Sequence, residues 1–355
     1  MFFSATLLIA LVGGPLYIYF YGLSWLHVSL FLLMLIATLM SITGGYHRLY
    51  AHRTYESNRW LKVIYLLFGA AAFQESCLKW AWQHRLHHLY VDEDKDPYNI
   101  RRGFFWAHIG WILTRDNSEL LYPSDLTDDP LVMWQHKYWL PIGTLVGFGL
   151  PALLGGFWGD VFGGLLFGGV IRLVVAHHLT FTINSLAHSI GSQPYSNQNT
   201  SKDSWITAFF TFGEGYHNYH HWYSRDYRNG IRFYHWDPAK WLIRFLSCFG
   251  QTWNLKMASE EVILKARLKM ERFHAVKRPH SKMCERVDEL FESLMKQVDE
   301  LENKRKAWVL AKKKSIEKFD QNLKALKANF NEAKEQYKDS YRSWRLAISE
   351  ISLSS

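Results

Sequence analysis

A chain of 355 residues that is 48% hydrophobic and 16% aromatic, with 16 Trp, has material for a large core or for several membrane spans. Its formal charge is +9, yet Met1 to His47 contain no Asp, Glu, Lys or Arg, while residues 256–355 alone carry +7. Basic charge so distributed points to a cytoplasmic face and anionic lipid and excludes nucleic acid as the expected partner, and Cys77, Cys248 and Cys284 are too scattered for a disulfide framework or a cysteine zinc site.

A helix needs about 20 apolar residues to cross the hydrocarbon core. Residues 3–20 and 28–45 meet that length as two spans joined by the tight connection "YGLSWLH". No basic stretch precedes the first run and a second follows at once, so it is expected to stay as a span rather than be cleaved as a signal peptide. Directly after the second span stands "HRLYAH". Its five-residue spacing sets His47 and His52 about 140° apart on an ideal helix, so both reach one centre only if the helix ends or distorts there, or if they approach it from two sides. Residues 63–74, "VIYLLFGAAAFQ", are uncharged but only 12 long, which favours an interfacial or re-entrant segment.

"HRLHH" follows at 84–88, and its His84, His87 and His88 fall at i, i+3 and i+4 on one helical face. Residues 138–159 and 161–183 form a second hairpin of spans, broken by Asp160, with Arg172 deep in the last span, where a charge must face protein or water. "NSLAH" adds Asn184 and His188 at i and i+4; His177 shares their face but lies about 16 Å of helix from His188, which makes it a packing or tunnel residue. "HNYHH" at 217–221 repeats the earlier spacing with His217, His220 and His221. In the tail, Ile316, Phe319, Leu323, Leu326, Phe330, Ala333 and Tyr337 recur at 3,4 spacing, the pattern of an amphipathic helix that either self-associates as a coiled coil or packs on its own protein.

Four crossings leave every histidine group on one side, and the Lys and Arg of the segments from Arg48 to Lys137 and beyond Lys202 put that side, with both termini, in the cytoplasm. Nine imidazoles (His47, His52, His84, His87, His88, His188, His217, His220, His221) exceed one coordination sphere but fit two ions with four or five ligands each, and imidazole suits iron, copper or zinc. Neutral ligands leave the metal charge uncompensated, so carboxylates are expected on the outer ring nitrogens, with Glu75, Asp94, Asp96, Glu214 and Asp226 available.

The blocks "HRLYAH", "HRLHH", "NSLAH" and "GEGYHNYHH", with "DPYNIRRGFFWAHIGW" between them, resemble the integral-membrane fatty acyl desaturases of the stearoyl-CoA, delta-9 type over residues 1–255. The resemblance implies an all-α membrane protein, four transmembrane helices with a cytosolic helical cap, holding two iron ions that use O₂ and two electrons to place a cis double bond in an acyl chain. By position, it assigns His47, His52, His84, His88 and His220 to one iron, and His87, His188, His217 and His221 to the other, with Asn184 acting through water. It also sets Gln74 near the acyl thioester and Arg115 near the phosphates of CoA, and makes Trp106 and Trp111 candidates for the wall of an acyl tunnel or for interfacial anchors. Two departures stand out. Asp116 replaces a usual Lys, which leaves acyl-CoA, acyl carrier protein and lipid-linked acyl substrates open, and Trp222 and Tyr223 follow the last histidine box. No haem-binding "HPGG" stretch occurs, so the electron donor is expected to be a separate protein; residues 256–355 are expected to form a charged helical tail outside the desaturase domain. Competing readings are a membrane diiron hydroxylase of lipids or alkanes, a membrane haem electron carrier, and a scaffold built on an inactive desaturase body.

Overall fold

The computed structural model describes residues 2–114, 121–276, 281–314 and 321–353. The chain forms two compact units, one of Met1–Ser192 with Gln198–Met257, the other of Gln193–Asn197 with Ala258–Ser355.

The first unit is built on four helices long and apolar enough to cross a membrane: α1 (Phe2–Tyr21), α2 (Trp25–Ala51), and, after α3 (Arg59–Ala70) and α4 (Cys77–Tyr90), α5 (Pro130–Gly156) and α6 (Val161–His188). Each start has a local cause. Ser24 caps α2 by accepting from the His27 amide, Asn58 and Ser76 cap α3 and α4 in the same manner, and Asp160 accepts from Gly163 N–H at the head of α6. The two short connections are tied together where Tyr17 and His27 Nε2 both reach Asp160.

Two boundaries differ from expectation, and both matter for the site. α2 continues to Ala51 and α6 to His188, well past the ends set by hydropathy, so the first and third histidine boxes ride on extensions of spans. α5 begins eight residues earlier than expected, because Asp129 and Pro130 start a helix that bends at Tyr138 and runs on. Arg172 is fully buried and faces protein: its guanidinium donates to the carbonyls of Gly168, Ala71 and Gly147. His177 packs likewise, stacked on Phe181 and bonded to Ala72 O.

Beyond α6 the chain adds α7 (Trp205–Phe210), α8 (His217–Trp222) and α9 (Pro238–Cys248). A short antiparallel pairing of β1 (Glu56–Ser57) with β2 (Thr252–Trp253) closes the unit.

The second unit holds α10 (Glu260–Val276), α11 (Ser281–Lys314) and α12 (Gln321–Leu353). The C-terminal part of the tail stripe is covered within the chain: Ala333 and Tyr337 of α12, with Trp344 further along, are buried and pack with Val287, Phe291, Leu294, Val298 and Leu301 of α11 and Leu268 of α10, Phe330 lies against them, and Leu323 and Leu326 are half-buried. Continued at the same spacing, the stripe reaches Ser340, whose hydroxyl accepts from Gln297 Nε2 of α11 at 2.9 Å, a polar pair beside the seam that helps fix its register. Ile316 and Phe319 lie outside the described residues.

Candidate metal centre

The five-residue spacing of the first box is resolved by the winding of α2. From Ser41 to Ala51 the helix is wound with i→i+5 bonds, and His52 N–H closes the last of them on His47 O at 3.0 Å. In that winding, residues five apart stack on one face, so the rings of His47 and His52 come within 4.8 Å of each other. The second box needs no distortion, since α4 carries His84, His87 and His88 along one face. His188 sits on the tight last turn Leu186–His188 of α6, and α8 presents the final three.

Nine histidines gather into two groups, His47, His52, His84, His88 and His220 in one and His87, His188, His217 and His221 in the other, with ligand atoms in each group all within 4.8 Å of one another. Membership matches the two sets that the family resemblance assigns. In the first, Nε2 of His220 lies 3.0 Å from Nε2 of His47 and 2.9 Å from that of His88, and Nε2 of His84 lies 2.9 Å from that of His52. In the second, Nε2 of His217 is 3.0 Å from those of His188 and His221. A single ring proton cannot serve two such neighbours at once, so lone pairs face lone pairs unless a cation sits among them. Nitrogens bound at about 2.1 Å to one ion and at right angles to each other lie ~3.0 Å apart, so the donor set fits a metal in each group. Burial pushes the rings of His52, His84, His88, His220 and His221 well below the ordinary histidine pKa and His217 down to about 3, which keeps them neutral and able to ligate.

The outer ring nitrogens are held by partners of which sequence reasoning found only part. Asp96 Oδ1 lies 2.8 Å from His87 Nδ1, and Glu214 Oε2 lies 3.0 Å from His47 Nδ1. Glu214 also accepts from Arg48 Nη2 at 3.0 Å, from Asn229 Nδ2 at 2.7 Å and from Thr43. Burial alone would raise its carboxyl, but His47 and Arg48 beside it, with their hydrogen bonds, hold it well below the usual carboxylate range. Arg48 in turn bridges Glu214 to the buried Asp237. For His188, Nδ1 donates to Thr200 Oγ1 at 2.8 Å, and Thr200 donates to Asp92 Oδ1 at 2.6 Å. Asp92, Thr200 and Asp237 were missed: Asp92 belongs to the acidic run "DEDKD", whose members are alike in sequence, and nothing local marks Thr200. Three of the expected carboxylates serve elsewhere or stand apart. Glu75 pairs with Lys79, Asp226 with Arg228 and Tyr219, and Asp94 lines the cavity beside the site.

That cavity, of about 1510 Å³, is walled by His47, His84, His217 and Asn184 near the groups, by charged Lys79, Lys95 and Arg102, and by apolar Leu39, Ile42, Phe73 and Leu179. Gln74, Trp106 and Trp111 line it too, and the Gln74 Nε2, Trp106 Nε1 and Trp111 Nε1 donors are buried without a protein acceptor among the described residues. Trp106 carries the Arg102 guanidinium 3.4 Å over its ring. Trp222 and Tyr223 are not among the lining residues. Arg115 and Asp116 lie outside the described residues.

Comparison with known proteins bears on the same residues. Residues 23–246 match the family model described as fatty acid desaturase. The chain is 46% identical over 230 residues to a probable acyl-CoA desaturase of Schizosaccharomyces pombe, covering 64% of this chain and 48% of the relative. It is 40% identical to acyl-CoA desaturase 1 of Saccharomyces cerevisiae over 74% of this chain and 54% of the relative, and 37% identical to a Delta(9)-fatty-acid desaturase of Caenorhabditis elegans over 72% and 78%. This chain thus matches about half the length of the two yeast relatives.

Proposed function

The chain belongs to the fatty acid desaturase family, and from that premise we propose that it is an O₂-dependent integral-membrane acyl-CoA desaturase, placing a cis double bond at the delta-9 position of a saturated acyl chain. The observation that carries the reading is the pair of histidine groups, five and four imidazoles, beside a cavity lined by both charged and apolar side chains. Net reaction balances as one saturated CH₂–CH₂ unit, O₂, two electrons and two protons giving CH=CH and two waters. His47, His52, His84, His88 and His220 would hold one iron, and His87, His188, His217 and His221 the other, with Asn184 near the second. Two irons bound there supply the O₂ activation that no side chain of this site offers.

Everything else is the work of the chain. Glu214, Asp96 and the Asp92–Thr200 pair fix the ring orientations and keep the inner nitrogens unprotonated. Leu39, Ile42 and Leu179 offer the acyl chain an apolar lining, while Lys79, Lys95 and Arg102 suit the phosphates of CoA. Unpartnered donors of Gln74, Trp106 and Trp111 offer hydrogen bonds to the only strongly polar atom of a thioester tail, its carbonyl oxygen. Electrons come from a separate donor protein. The site and both termini face the cytoplasm, as the Lys and Arg distribution favours.

Expression in a host lacking its own delta-9 activity, followed by mass spectrometry of total fatty acids, tests the reading. The expected product has lost two hydrogens and gained no oxygen, and purified protein carries two irons per chain and accepts acyl-CoA in preference to acyl-phospholipid. A hydroxylated product, or haem absorbance in place of non-haem iron, would overturn it.

A further inference from the structure

α3 ends at Ala70 in the protein interior, where Ala70, Ala71 and Ala72 are fully buried, and the segment after it, Ala71 to Glu75, is not helical. Backbone carbonyls freed at such an end have no water to meet and must be satisfied by protein. Two side chains of α6 do this. Arg172 Nη1 donates to Ala71 O at 2.7 Å while its Nη2 donates to Gly147 O of α5 at 2.7 Å, and His177 Nε2 donates to Ala72 O at 2.6 Å. Among the described residues no carboxylate pairs with Arg172, so this charge is committed entirely to backbone oxygens. α5 admits the segment through Gly143, where a Cβ would meet Ala70 O at 2.7 Å.

Immediately beyond the two clamped carbonyls the backbone takes an arrangement that it does not adopt unaided. Phe73 and Glu75 both have left-handed φ, 51° and 72°, a conformation that L-residues other than Asn, Asp and Gly hold only where surrounding contacts impose it. The consequence is to turn Phe73, Gln74 and Glu75 into the cavity wall, with the Gln74 carbonyl oxygen accepting from Trp80 Nε1 at 3.2 Å and its Nε2 left without a partner. Trp80 is stacked on His84, so two consecutive contacts link Gln74 to the histidine groups.

We infer that Arg172 and His177 are positioning residues: by clamping Ala71 and Ala72 they fix Gln74, and with it the depth of the acyl chain, so that one methylene pair is presented to the metal centre. The inference rests on the desaturase reading for its substrate but not for its geometry. The carbonyl of the bound thioester is held at Gln74, and the number of carbons between that point and the histidine groups sets the double-bond position. A clamp that loosens lets the anchor slide, and chains of the same length then react at neighbouring carbons.

The test uses the full chain in lipid nanodiscs, with His177→Leu, His177→Gln and Arg172→Gln beside wild type, each checked for iron content. Double-bond positions are read by mass spectrometry of derivatised products made from one saturated acyl-CoA, and amide exchange is read at residues 72–76. His177→Leu, which removes the donor, is expected to spread the product over two or more positions and to speed exchange at 72–76, and His177→Gln, which keeps a donor, to restore a single position. Arg172→Gln is expected to do the same as His177→Leu, more strongly; should it fail to fold, the His177 pair decides. An active His177→Leu enzyme with one unchanged double-bond position overturns the inference while leaving the desaturase reading intact. If wild type makes no unsaturated product, the desaturase reading fails, and exchange then judges the clamp alone: unchanged rates at 72–76 in His177→Leu overturn it.

Discussion

Glu214 faces His47, Arg48, Asn229 and Thr43 at once and is buried. Breaking one charge out of such a buried set costs about 3–5 kcal/mol, because the Arg48 guanidinium then keeps Asp237 and the Tyr227 carbonyl but loses one of its two carboxylates. Glu214→Gln is therefore expected to lower the thermal midpoint and reduce bound iron, measured by calorimetry and elemental analysis; unchanged values for both would show that the carboxylate charge is not needed. At the ligands, His84→Ala and His220→Ala are each expected to abolish turnover and lose iron with helix content retained, and normal activity in either would remove that residue from the set. Metal-free protein should also be acid-sensitive in a defined window. His217 is held neutral down to about 3 in the folded state, against an ordinary histidine value of 6.5 when unfolded, so below about 6.5 the unfolded chain takes up protons that the folded one refuses. Stability of the metal-free protein thus falls as pH drops from about 6.5 towards 3, and a midpoint flat over that range would contradict the burial argument.

Among elements, the contact of α3 with the i→i+5 wound part of α2 transmits packing to the site. Gly69 of α3 lies against Tyr46, where a Cβ would meet the ring Cε1, and Tyr46 immediately precedes His47. Tyr46 cannot swing away freely, because its hydroxyl accepts from the buried Gln135 of α5 at 2.7 Å. Gly69→Ala is expected to destabilise the first unit by about 1–3 kcal/mol, the usual range for overpacking, and to lower iron occupancy, although residue 69 is no ligand. Titration of iron into the variant, compared with wild type, checks this. Full occupancy would mean that the winding of α2 is set by its own sequence rather than by α3.

Across the whole molecule, the two compact units each have their own core, which makes their stabilities separable. Trp344 is fully buried among α10, α11 and α12, with its Nε1 donating to Glu271 at 2.8 Å. Trp344→Ala is expected to cost the tail unit about 3–5 kcal/mol and to expose it to proteolysis, with iron content and turnover driven by an artificial reductant unchanged. Loss of iron in that variant would show that the tail is part of the catalytic fold. Sidedness is tested on the same scale: a reporter fused after Ser355 is expected to report the cytoplasm, and a lumenal or exterior signal would refute four crossings with both termini inside.

The sequence determined what neighbours along the chain decide. Apolar length marks four spans, and i, i+3, i+4 spacing puts three histidines on one face of α4 and three on α8, because helix geometry is fixed by bonds within a few residues. Even the anomaly of His47 and His52 was legible, as a helix that ends or distorts or as rings that approach from two sides; which of these holds was not, since an i→i+5 winding is selected by what packs around α2. The tertiary structure alone decided which partner each group meets. Asp92 and Thr200 reach His188 from parts of the chain 108 residues apart, Arg172 finds carbonyls 101 and 25 residues away, and the C-terminal part of the tail stripe is covered by α11 of the same chain. Such pairings depend on how helices stack rather than on any local period. An acidic run or a charge in a span therefore announces that a partner exists, and only the packed fold says which one.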